Sequence, residues 1–125
     1  MTKLNKKILV VEDDKILTST LLDNFTNEGF SVITASDGEE GLIMANKETP
    51  DLILLDILMP KIDGITMARK LKENSINTPI IFLTNLDNLK HISDAIEVAE
   101  SDYLIKSDWK VNDIVAKVKD KLNLK

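Results

Sequence analysis

The sequence predicts an α/β fold in which strands and helices alternate and the strands form a doubly wound parallel sheet. Five short runs are rich in Val, Ile and Leu and scarcely alternate with polar residues. Such runs are typical of strands that are covered on both faces. Between them lie segments whose apolar residues recur every three or four positions, as on the buried face of a helix. Strict alternation of the two patterns implies right-handed crossovers and a doubly wound sheet.

The third predicted strand contains an unexpected charge. The five predicted strands are "KILVV" (7–11), "SVITA" (31–35), "DLILL" (51–55), "PIIFLT" (79–84) and "DYLI" (102–105). The third runs on into "LILLDILM" (52–59), where Asp56 interrupts an otherwise apolar run. An ionised carboxylate that has no partner is costly to remove from water. Asp56 therefore calls for a functional explanation.

Five helices are predicted between and after the strands. Leu17, Leu21 and Phe25 recur every four residues in the first, and Gly29 is expected to end it in a left-handed conformation. Asp37 is expected to cap the second helix. The apolar faces of the other helices are marked by Leu42 and Ala45 (second), Ile65, Ala68 and Leu71 (third), Ile92, Ala95, Ile96 and Ala99 (fourth), and Ile114, Val115, Val118 and Leu122 (fifth).

Length and composition predict one domain over residues 1–125. The chain has 125 residues, of which 43% are hydrophobic and 30% charged, as is ordinary for a globular protein that buries a core. It shows no linker, repeat or low-complexity tract, so we expect a single domain and no output domain. The absence of cysteine fits a reducing cytosol, and we expect a cytoplasmic protein.

Two classes of partner are disfavoured by the sequence. The formal net charge of −5 argues against broad contact with the phosphates of a nucleic acid. The first apolar segment, at residues 8–11, is too short for a signal peptide or a membrane span. We therefore expect neither direct nucleic-acid binding nor membrane insertion.

Polar side chains follow the predicted strands, at the edge of a doubly wound sheet where ligands bind. They are Glu12, Asp13 and Asp14 after the first strand, Ser36 and Asp37 after the second, Asp56 and Thr84 at the ends of the third and fourth, and Lys106 after the fifth. Taken singly, each has an ordinary structural explanation, such as helix capping for the acidic run. Their joint occurrence at matched strand ends favours a functional site.

The chemistry of this set points to a cation and a phosphoryl group. Neighbouring carboxylates repel one another, which raises their pKa values unless a cation neutralises them. Hard oxygen ligands without Cys or His favour Mg²⁺. Asp56 beside such an ion can attack phosphorus to form an acyl phosphate. The Thr84 hydroxyl and the Lys106 ammonium are suitable donors to phosphoryl oxygens.

Four motifs resemble the receiver domain of two-component response regulators, and they cover essentially the whole chain. They are "ILVVEDD", "DLILLDILMPKIDG", "PIIFLTN" and "DYLIK", in order and at the family's spacing. The resemblance implies a flavodoxin-like fold with a five-stranded parallel sheet of order 2-1-3-4-5, flanked by five helices. The chain is most similar to the stand-alone, single-domain type found among chemotaxis regulators.

The resemblance also implies roles for the acidic residues. Asp56 matches the phosphoacceptor, Asp13 a direct Mg²⁺ ligand and Glu12 a ligand acting through water. The backbone carbonyl of Leu58 would complete the metal site. Gly64 is expected to give the backbone the freedom it needs before the third helix. Asp14, one place past the acidic pair, is expected to be a helix cap.

The remaining family positions are matched with two departures. Thr84 and Tyr103 match the switch pair, and Lys106 matches the lysine that pairs with the phosphoryl group. Ser107 stands where the family usually has proline, and a cis bond before it would cost roughly 3–4 kcal/mol, so we expect a trans or a strained loop. Asn85 is larger than the usual residue at its position and would narrow access to the phosphoacceptor.

The function implied is a phosphoacceptor switch that is not an enzyme beyond assisting its own phosphorylation and dephosphorylation. A sensor histidine kinase or a histidine phosphotransfer protein would supply the phosphoryl group. The signal would pass to an effector protein, through the fourth helix, fifth strand and fifth helix, or the group would be relayed to another histidine. Apolar Leu58 and Leu86, two residues after Asp56 and Thr84, predict slow hydrolysis of the acyl phosphate.

The same residues bear on several other classes of protein. A flavodoxin or a dinucleotide binder would need a glycine- or hydroxyl-rich loop where this chain has three acids. A phosphatase with an aspartyl nucleophile would usually carry a second Asp at position 58, which is Leu. A receiver that acts as a constitutive interaction module and is never phosphorylated stays open, although the intact acids, Thr84 and Lys106 argue against it.

Overall fold

The structure, a computed structural model, describes residues 5–84, 102–105 and 110–124, with Thr84 and residues 102–105 described by their backbone. From residue 7 to residue 84 strands and helices alternate, as the sequence predicts. The elements are β1 (Lys7–Val11), α1 (Lys15–Asn27), β2 (Ser31–Ala35), α2 (Gly38–Glu48), β3 (Leu52–Asp56), α3 (Gly64–Glu73), β4 (Ile80–Thr84), β5 (Asp102–Ile105) and α4 (Val111–Lys121). The helix predicted around residues 92–99 lies outside the described residues.

The described strands form one parallel sheet in the order β2-β1-β3-β4-β5. All four strand pairings are parallel, which confirms the α/β fold and its parallel sheet. β1 and β3 occupy the middle of the sheet, and their register pairs Val11 with Leu55. The residues that follow these two positions therefore leave the sheet side by side.

Apolar side chains cover both faces of the sheet, as expected for runs that barely alternate. The core on one face consists of strand residues packed against α2 and α3, namely Leu9, Val11, Ile53, Leu55, Ile80 and Phe82 with Ala45, Ile65, Met67, Ala68 and Leu71. The core on the other face packs against α1 and α4 and contains Ile8, Val10, Leu52, Leu54, Ile81 and Leu83 with Leu21, Phe25, Ile114, Val115 and Val118. Among the described residues, no helix is long and apolar enough to cross a membrane.

Helix α1 is closed at its carboxyl end by a local motif that the sequence predicted at Gly29. Gly29 has φ 99°, a left-handed conformation that a residue without Cβ adopts freely. The Gly29 amide donates to the Thr26 carbonyl and the Phe30 amide to the Phe25 carbonyl, which is the Schellman pattern. The rings of Phe25 and Phe30 meet edge to face at 5.5 Å. The turn at Gly29 that ends the helix thus also places Phe30 in the core.

Helices α3 and α4 end in the same motif without glycine. Ser75 (φ 62°) follows α3, and Asn123 (φ 59°) follows α4. The Ile76 amide donates to the Leu71 carbonyl at 2.9 Å, which closes the turn after α3 as the Phe30 amide does after α1. A side chain in this left-handed conformation is strained, by about 1–2 kcal/mol for most residues.

We predict opposite effects for two substitutions at these equivalent turns. Gly29→Ala should lower the free energy of unfolding by about 1 kcal/mol or more, because it places a Cβ in the left-handed region. Ser75→Gly should raise it by a few tenths of a kcal/mol, since the relief of strain is partly offset by the greater entropy of the unfolded chain. Urea titrations of both variants check this. Shifts of the same sign would contradict the assignment of strain.

Candidate functional site

Two buried carboxylates stand next to each other at the carboxyl edge of the sheet. Glu12 follows β1, and Asp56 is the last residue of β3; their exposed fractions are 2% and 5%. The pairing of Val11 with Leu55 makes Glu12 and Asp56 lateral neighbours. The Glu12 amide continues the ladder by donating to the Ala35 carbonyl at 3.0 Å. Both backbones are thus held in the sheet while their side chains face its edge.

Asp13 completes a group of three carboxylates. One oxygen each from Glu12, Asp13 and Asp56 can be chosen so that all three lie within 4.8 Å of one another. Asp13 is exposed, whereas the other two are buried. The turn that carries Asp13 is fixed because the Asp14 amide donates to Glu12 Oε1 at 3.2 Å. The predicted acidic cluster is therefore brought together.

Asp14 has a separate task, which is to cap α1. Its Oδ1 accepts hydrogen bonds from the amides of Ile16 at 2.9 Å and Leu17 at 3.2 Å. This satisfies two of the amides that the first turn of a helix leaves without an intrahelical partner. The prediction that Asp14 is a cap is confirmed, and so is that for Asp37, whose Oδ1 accepts from the Glu40 amide at 2.8 Å.

The donor set fits a small divalent cation. Three carboxylates this close repel one another strongly, especially where two of them are buried away from water. A cation bound among them would offset that repulsion. The ligand atoms are all oxygen, which is the preference of Mg²⁺ and Ca²⁺ rather than of softer metals. The residues present therefore suit the Mg²⁺ that the sequence predicted.

Gly64 is required for space next to Asp56. A Cβ added to Gly64 would lie 2.2 Å from the Asp56 carbonyl oxygen and 3.0 Å from the Cα of Ile57. The Gly64 amide also donates to the Ile57 carbonyl at 2.8 Å. Sequence reasoning expected conformational freedom here, but Gly29 is the glycine with positive φ among the described residues. The glycine lets the first turn of α3 press against the backbone of Asp56.

The other predicted site residues are described in part. The Leu58 side chain is 51% exposed beside the acids. Thr84 ends β4 and pairs with Ile105, while Tyr103 lies in β5 and pairs with Phe82. Lys106, together with Asn85, Leu86 and Ser107, lies outside the described residues. The roles assigned to Leu58, Thr84, Tyr103 and Lys106 stay predictions.

Sequence reasoning missed a cleft that opens beside the acids. It has a volume of about 400 Å³ and lies between α1, the end of β2 and the start of α2. Its lining includes Glu12, Asp13, Lys15, Leu22, Ser36 and Glu40. The available signal was Leu22, an apolar residue outside the buried stripe of α1 that is 36% exposed. The cleft joins two segments distant in sequence, which no local pattern reports.

Comparison with known proteins identifies the family. The model of the response regulator receiver domain matches residues 8–119. The chain is 43% identical over 103 residues to the alkaline phosphatase synthesis transcriptional regulatory protein PhoP of Bacillus subtilis, which covers 82% of this chain and 43% of that protein. The chain belongs to the response regulator receiver domain family, whose members are phosphoacceptor switches of two-component signalling.

Solved structures agree with this assignment. A two-component response regulator from Clostridium difficile superposes with a TM-score of 0.89 at 30% identity, covering 95% of this chain and 97% of that one. A complex described as CheX-CheY-BeF3-Mg+2 from Borrelia burgdorferi superposes with a TM-score of 0.85 at 29% identity, and the match covers 94% of this chain and 89% of that one. The chain spans less than half of the length of the PhoP relative, so the match concerns the receiver part of that protein.

We predict that relieving the repulsion among the acids stabilises the protein in two ways. Mg²⁺ should raise the melting temperature, since a ligand at a hundred times its Kd stabilises the folded state by about 2.7 kcal/mol. Asp13→Asn should raise it by a few degrees in the absence of metal, because one of three neighbouring charges is removed. Thermal melts with and without millimolar Mg²⁺ measure both.

Asp23→Asn is the matched control for this prediction. Asp23 is an exposed residue of α1 outside the cluster, and the substitution makes the same change in net charge. It should leave both the metal-free melting temperature and the response to Mg²⁺ unchanged. No response of the wild-type protein to Mg²⁺ would rule out the cation site at this edge.

Proposed function

We propose that Asp56 is the phosphoacceptor of this receiver domain and that Mg²⁺ is bound by Glu12, Asp13, Asp56 and the backbone carbonyl of Leu58. The observation that carries the proposal is the placement of Asp56, buried at the end of a central strand, with Glu12 and Asp13 beside it. The Borrelia relative was solved as a complex with BeF3 and magnesium, and we extend the magnesium to this chain.

The reaction is transfer of a phosphoryl group from a phosphohistidine. A carboxylate oxygen of Asp56 attacks phosphorus, an O–P bond forms, and the P–N bond breaks. The departing imidazole nitrogen keeps the electron pair and takes a proton. Mg²⁺ supplies neutralisation of the charge on the acids and the phosphoryl oxygens. The Thr84 hydroxyl and the Lys106 ammonium donate to those oxygens.

The chain's own structure supports this role for Asp56 by holding it still. Its backbone pairs with Leu83 in the β-ladder, and Gly64 approaches its carbonyl oxygen so closely that a Cβ would not fit. The residues before and after it in sequence, Leu55 and Ile57, are buried. A nucleophile fixed in this way loses little freedom on reaction, and positioning is most of what phosphoryl transfer requires.

The phosphoryl donor is a sensor histidine kinase or a histidine phosphotransfer protein. Ile16, in the first turn of α1, is 80% exposed, and Leu58 is 51% exposed. Two large apolar side chains that follow the acid-bearing strands suit contact with a partner, since exposed apolar groups beside a site favour association. The domain proposed here comprises residues 1–125, with the fourth predicted helix at residues 92–99, and acts in the cytoplasm.

The output passes by protein contacts or by transfer of the phosphoryl group to another histidine. Thr84 and Tyr103 form the switch pair, so we place the signalling surface near β5 and α4. The PhoP relative is named a transcriptional regulator, but this chain aligns with 43% of it. A net charge of −5 disfavours direct contact of this domain with DNA phosphates.

We predict one phosphoryl group per chain, carried by Asp56. Incubation with Mg²⁺ and a small phosphodonor such as acetyl phosphate should add the mass of one phosphoryl group, and Asp56→Asn should abolish the addition. Asp63→Asn is the matched control, because Asp63 lies in the same loop and caps α3 with Oδ1, a task that Asn performs equally well. Intact mass is the measurement. Undiminished labelling of Asp56→Asn would refute the assignment.

The acyl phosphate should be long-lived, with a half-life of minutes to hours in purified protein. The resemblance to the family assigns Leu58 and Leu86 to positions that border the path of attacking water, and a leucine side chain can neither orient a water molecule nor accept a proton. Leu58→Asn and Leu86→Glu should each speed hydrolysis, by up to roughly 10²-fold, the lower end of what a positioned side chain contributes. Loss of phosphate with time is the measurement.

Ile43→Asn serves as the control for the lifetime of the acyl phosphate. Ile43 is an exposed apolar residue of α2, 59% accessible and outside the acidic cluster, so its replacement should leave the rate unchanged. A wild-type half-life of seconds that neither leucine substitution moves would show that backbone and metal geometry alone set the rate.

A further inference from the structure

We propose that Gly38, the first residue of α2, is a positioning residue for the metal site and acts through the loop of residues 57–63. The inference rests on the proposed function, because it concerns the loop that carries the Leu58 carbonyl. Gly38 belongs to a different element from every residue of the acidic cluster. Its influence is therefore exerted through packing.

The contact between Gly38 and the loop is made by backbone atoms. A Cβ added to Gly38 would lie 2.2 Å from the Ile62 carbonyl oxygen, 2.9 Å from Ile62 Cβ and 3.0 Å from the Ile62 carbonyl carbon. Distances this short cannot be relieved by a rotation of a side chain. Any residue with a side chain at position 38 must therefore displace the loop or the start of α2.

The loop is also fixed at the end next to Asp56. The Gly64 amide donates to the Ile57 carbonyl at 2.8 Å, and Gly64 has no room for a Cβ against the Asp56 carbonyl oxygen. This contact joins the two ends of the loop. A displacement imposed at Ile62 cannot be absorbed by moving Ile57, so it falls on the residues between them.

The residues between Ile57 and Ile62 have little conformational freedom. The Ile62 amide donates to the Pro60 carbonyl at 2.9 Å, which closes a three-residue turn around Lys61 at φ 69°. Such a turn is a strained γ-turn with few alternative conformations. Lys61 Nζ lies 3.7 Å from Asp37 Oδ2, which ties the same turn to the cap of α2. The start of α2 therefore holds the loop through both Gly38 and Asp37.

Leu58 lies inside the segment that would have to move. Mg²⁺ demands near-ideal octahedral geometry and tolerates a displaced ligand poorly. Residues that support metal ligands from outside typically contribute 10- to 100-fold to metal affinity. We expect a displaced loop to weaken Mg²⁺ binding even though all three carboxylates are retained.

The experiment compares Gly38→Ala with Gly41→Ala in the full chain. Gly41 is a buried glycine one turn further along α2, and its added Cβ would meet Met67 Sδ at 2.9 Å, Val11 Cγ1 at 3.0 Å and Met67 Cε at 3.1 Å. The flexible methionine can yield, and the backbone of Val11 is paired on both sides in the sheet. Gly41→Ala therefore disturbs the same helix without pressing on the loop.

Isothermal titration with Mg²⁺ alone gives the dissociation constant of each protein. Gly38→Ala should raise the Mg²⁺ Kd roughly tenfold, whereas Gly41→Ala should retain the wild-type value. Saturating Mg²⁺ should restore labelling of Gly38→Ala by acetyl phosphate. An unchanged Kd for Gly38→Ala, or an equal increase in both variants, overturns the positioning role. Failure of the wild-type protein to bind Mg²⁺ overturns the metal site and this inference together.

A second pair of variants decides the matter if Gly38→Ala does not fold. Asp37→Asn keeps the helix cap, since Asn caps as well as Asp, but it removes the charge that attracts Lys61. It should raise the Mg²⁺ Kd about two- to fivefold, the range set by an ion pair at the protein surface, here with Lys61 exposed and Asp37 largely buried. Glu39→Gln changes net charge equally at the next exposed acid of α2 and should have no effect. Equal Kd values for these two variants overturn the proposal.

Discussion

The register that pairs Val11 with Leu55 is the constraint on which the site depends. It places Glu12 and Asp56 side by side, both almost completely buried, at the edge of a sheet whose two faces are covered by apolar side chains. Burying two neighbouring carboxylates costs free energy that the fold must supply. The apolar strands supply it, and under the proposed function a bound cation would offset the repulsion between the acids. The two buried carboxylates thus lower the stability of the fold, and burial of the apolar side chains of the core compensates for this.

The helices reinforce this edge through their amino termini. α1 and α2 begin within four residues of the ends of β1 and β2, and α3 follows the end of β3 after the loop of residues 57–63, so their positive dipole ends lie at the edge that carries the acids. Aspartates satisfy the first amides of each helix, at Asp14, Asp37 and Asp63. Helix capping and the acidic cluster therefore use the same residue type at the same edge. Asp13 and Asp14 are adjacent, yet Asp14 caps α1 while an oxygen of Asp13 lies within 4.8 Å of oxygens of Glu12 and Asp56.

Local signals predicted most of the described fold and the acidic cluster. The positions of the strands, the caps at Asp14 and Asp37 and the stop at Gly29 each depend on a few consecutive residues. The structure confirms them, except that β3 (Leu52–Asp56) begins and ends one residue later than predicted and β4 (Ile80–Thr84) begins one residue later. From the sequence, Gly64 was explained by backbone freedom, which was wrong, and Gly38 was not singled out. At both positions a side chain would collide with a segment that comes close only in the folded chain, so no local pattern reveals the reason for glycine. The cleft beside Leu22 was missed for the same reason. Lys106 and the helix at residues 92–99 lie outside the described residues and stay predictions.

Under the proposed function, the packing of the loop of residues 57–63 also limits where a response to phosphorylation can occur. Phosphorylation replaces the single negative charge of the Asp56 carboxylate by the roughly two charges of an acyl phosphate. It therefore adds about one net negative charge next to Glu12 and Asp13. The backbone of Asp56 is held by its ladder with Leu83 and by the close approach of Gly64 to its carbonyl oxygen. The γ-turn at Lys61 and the start of α2 hold the following loop in the same way. Since these backbone segments are close-packed and resist small displacements, we expect the response to phosphorylation in the side chains of the proposed switch pair, Thr84 and Tyr103.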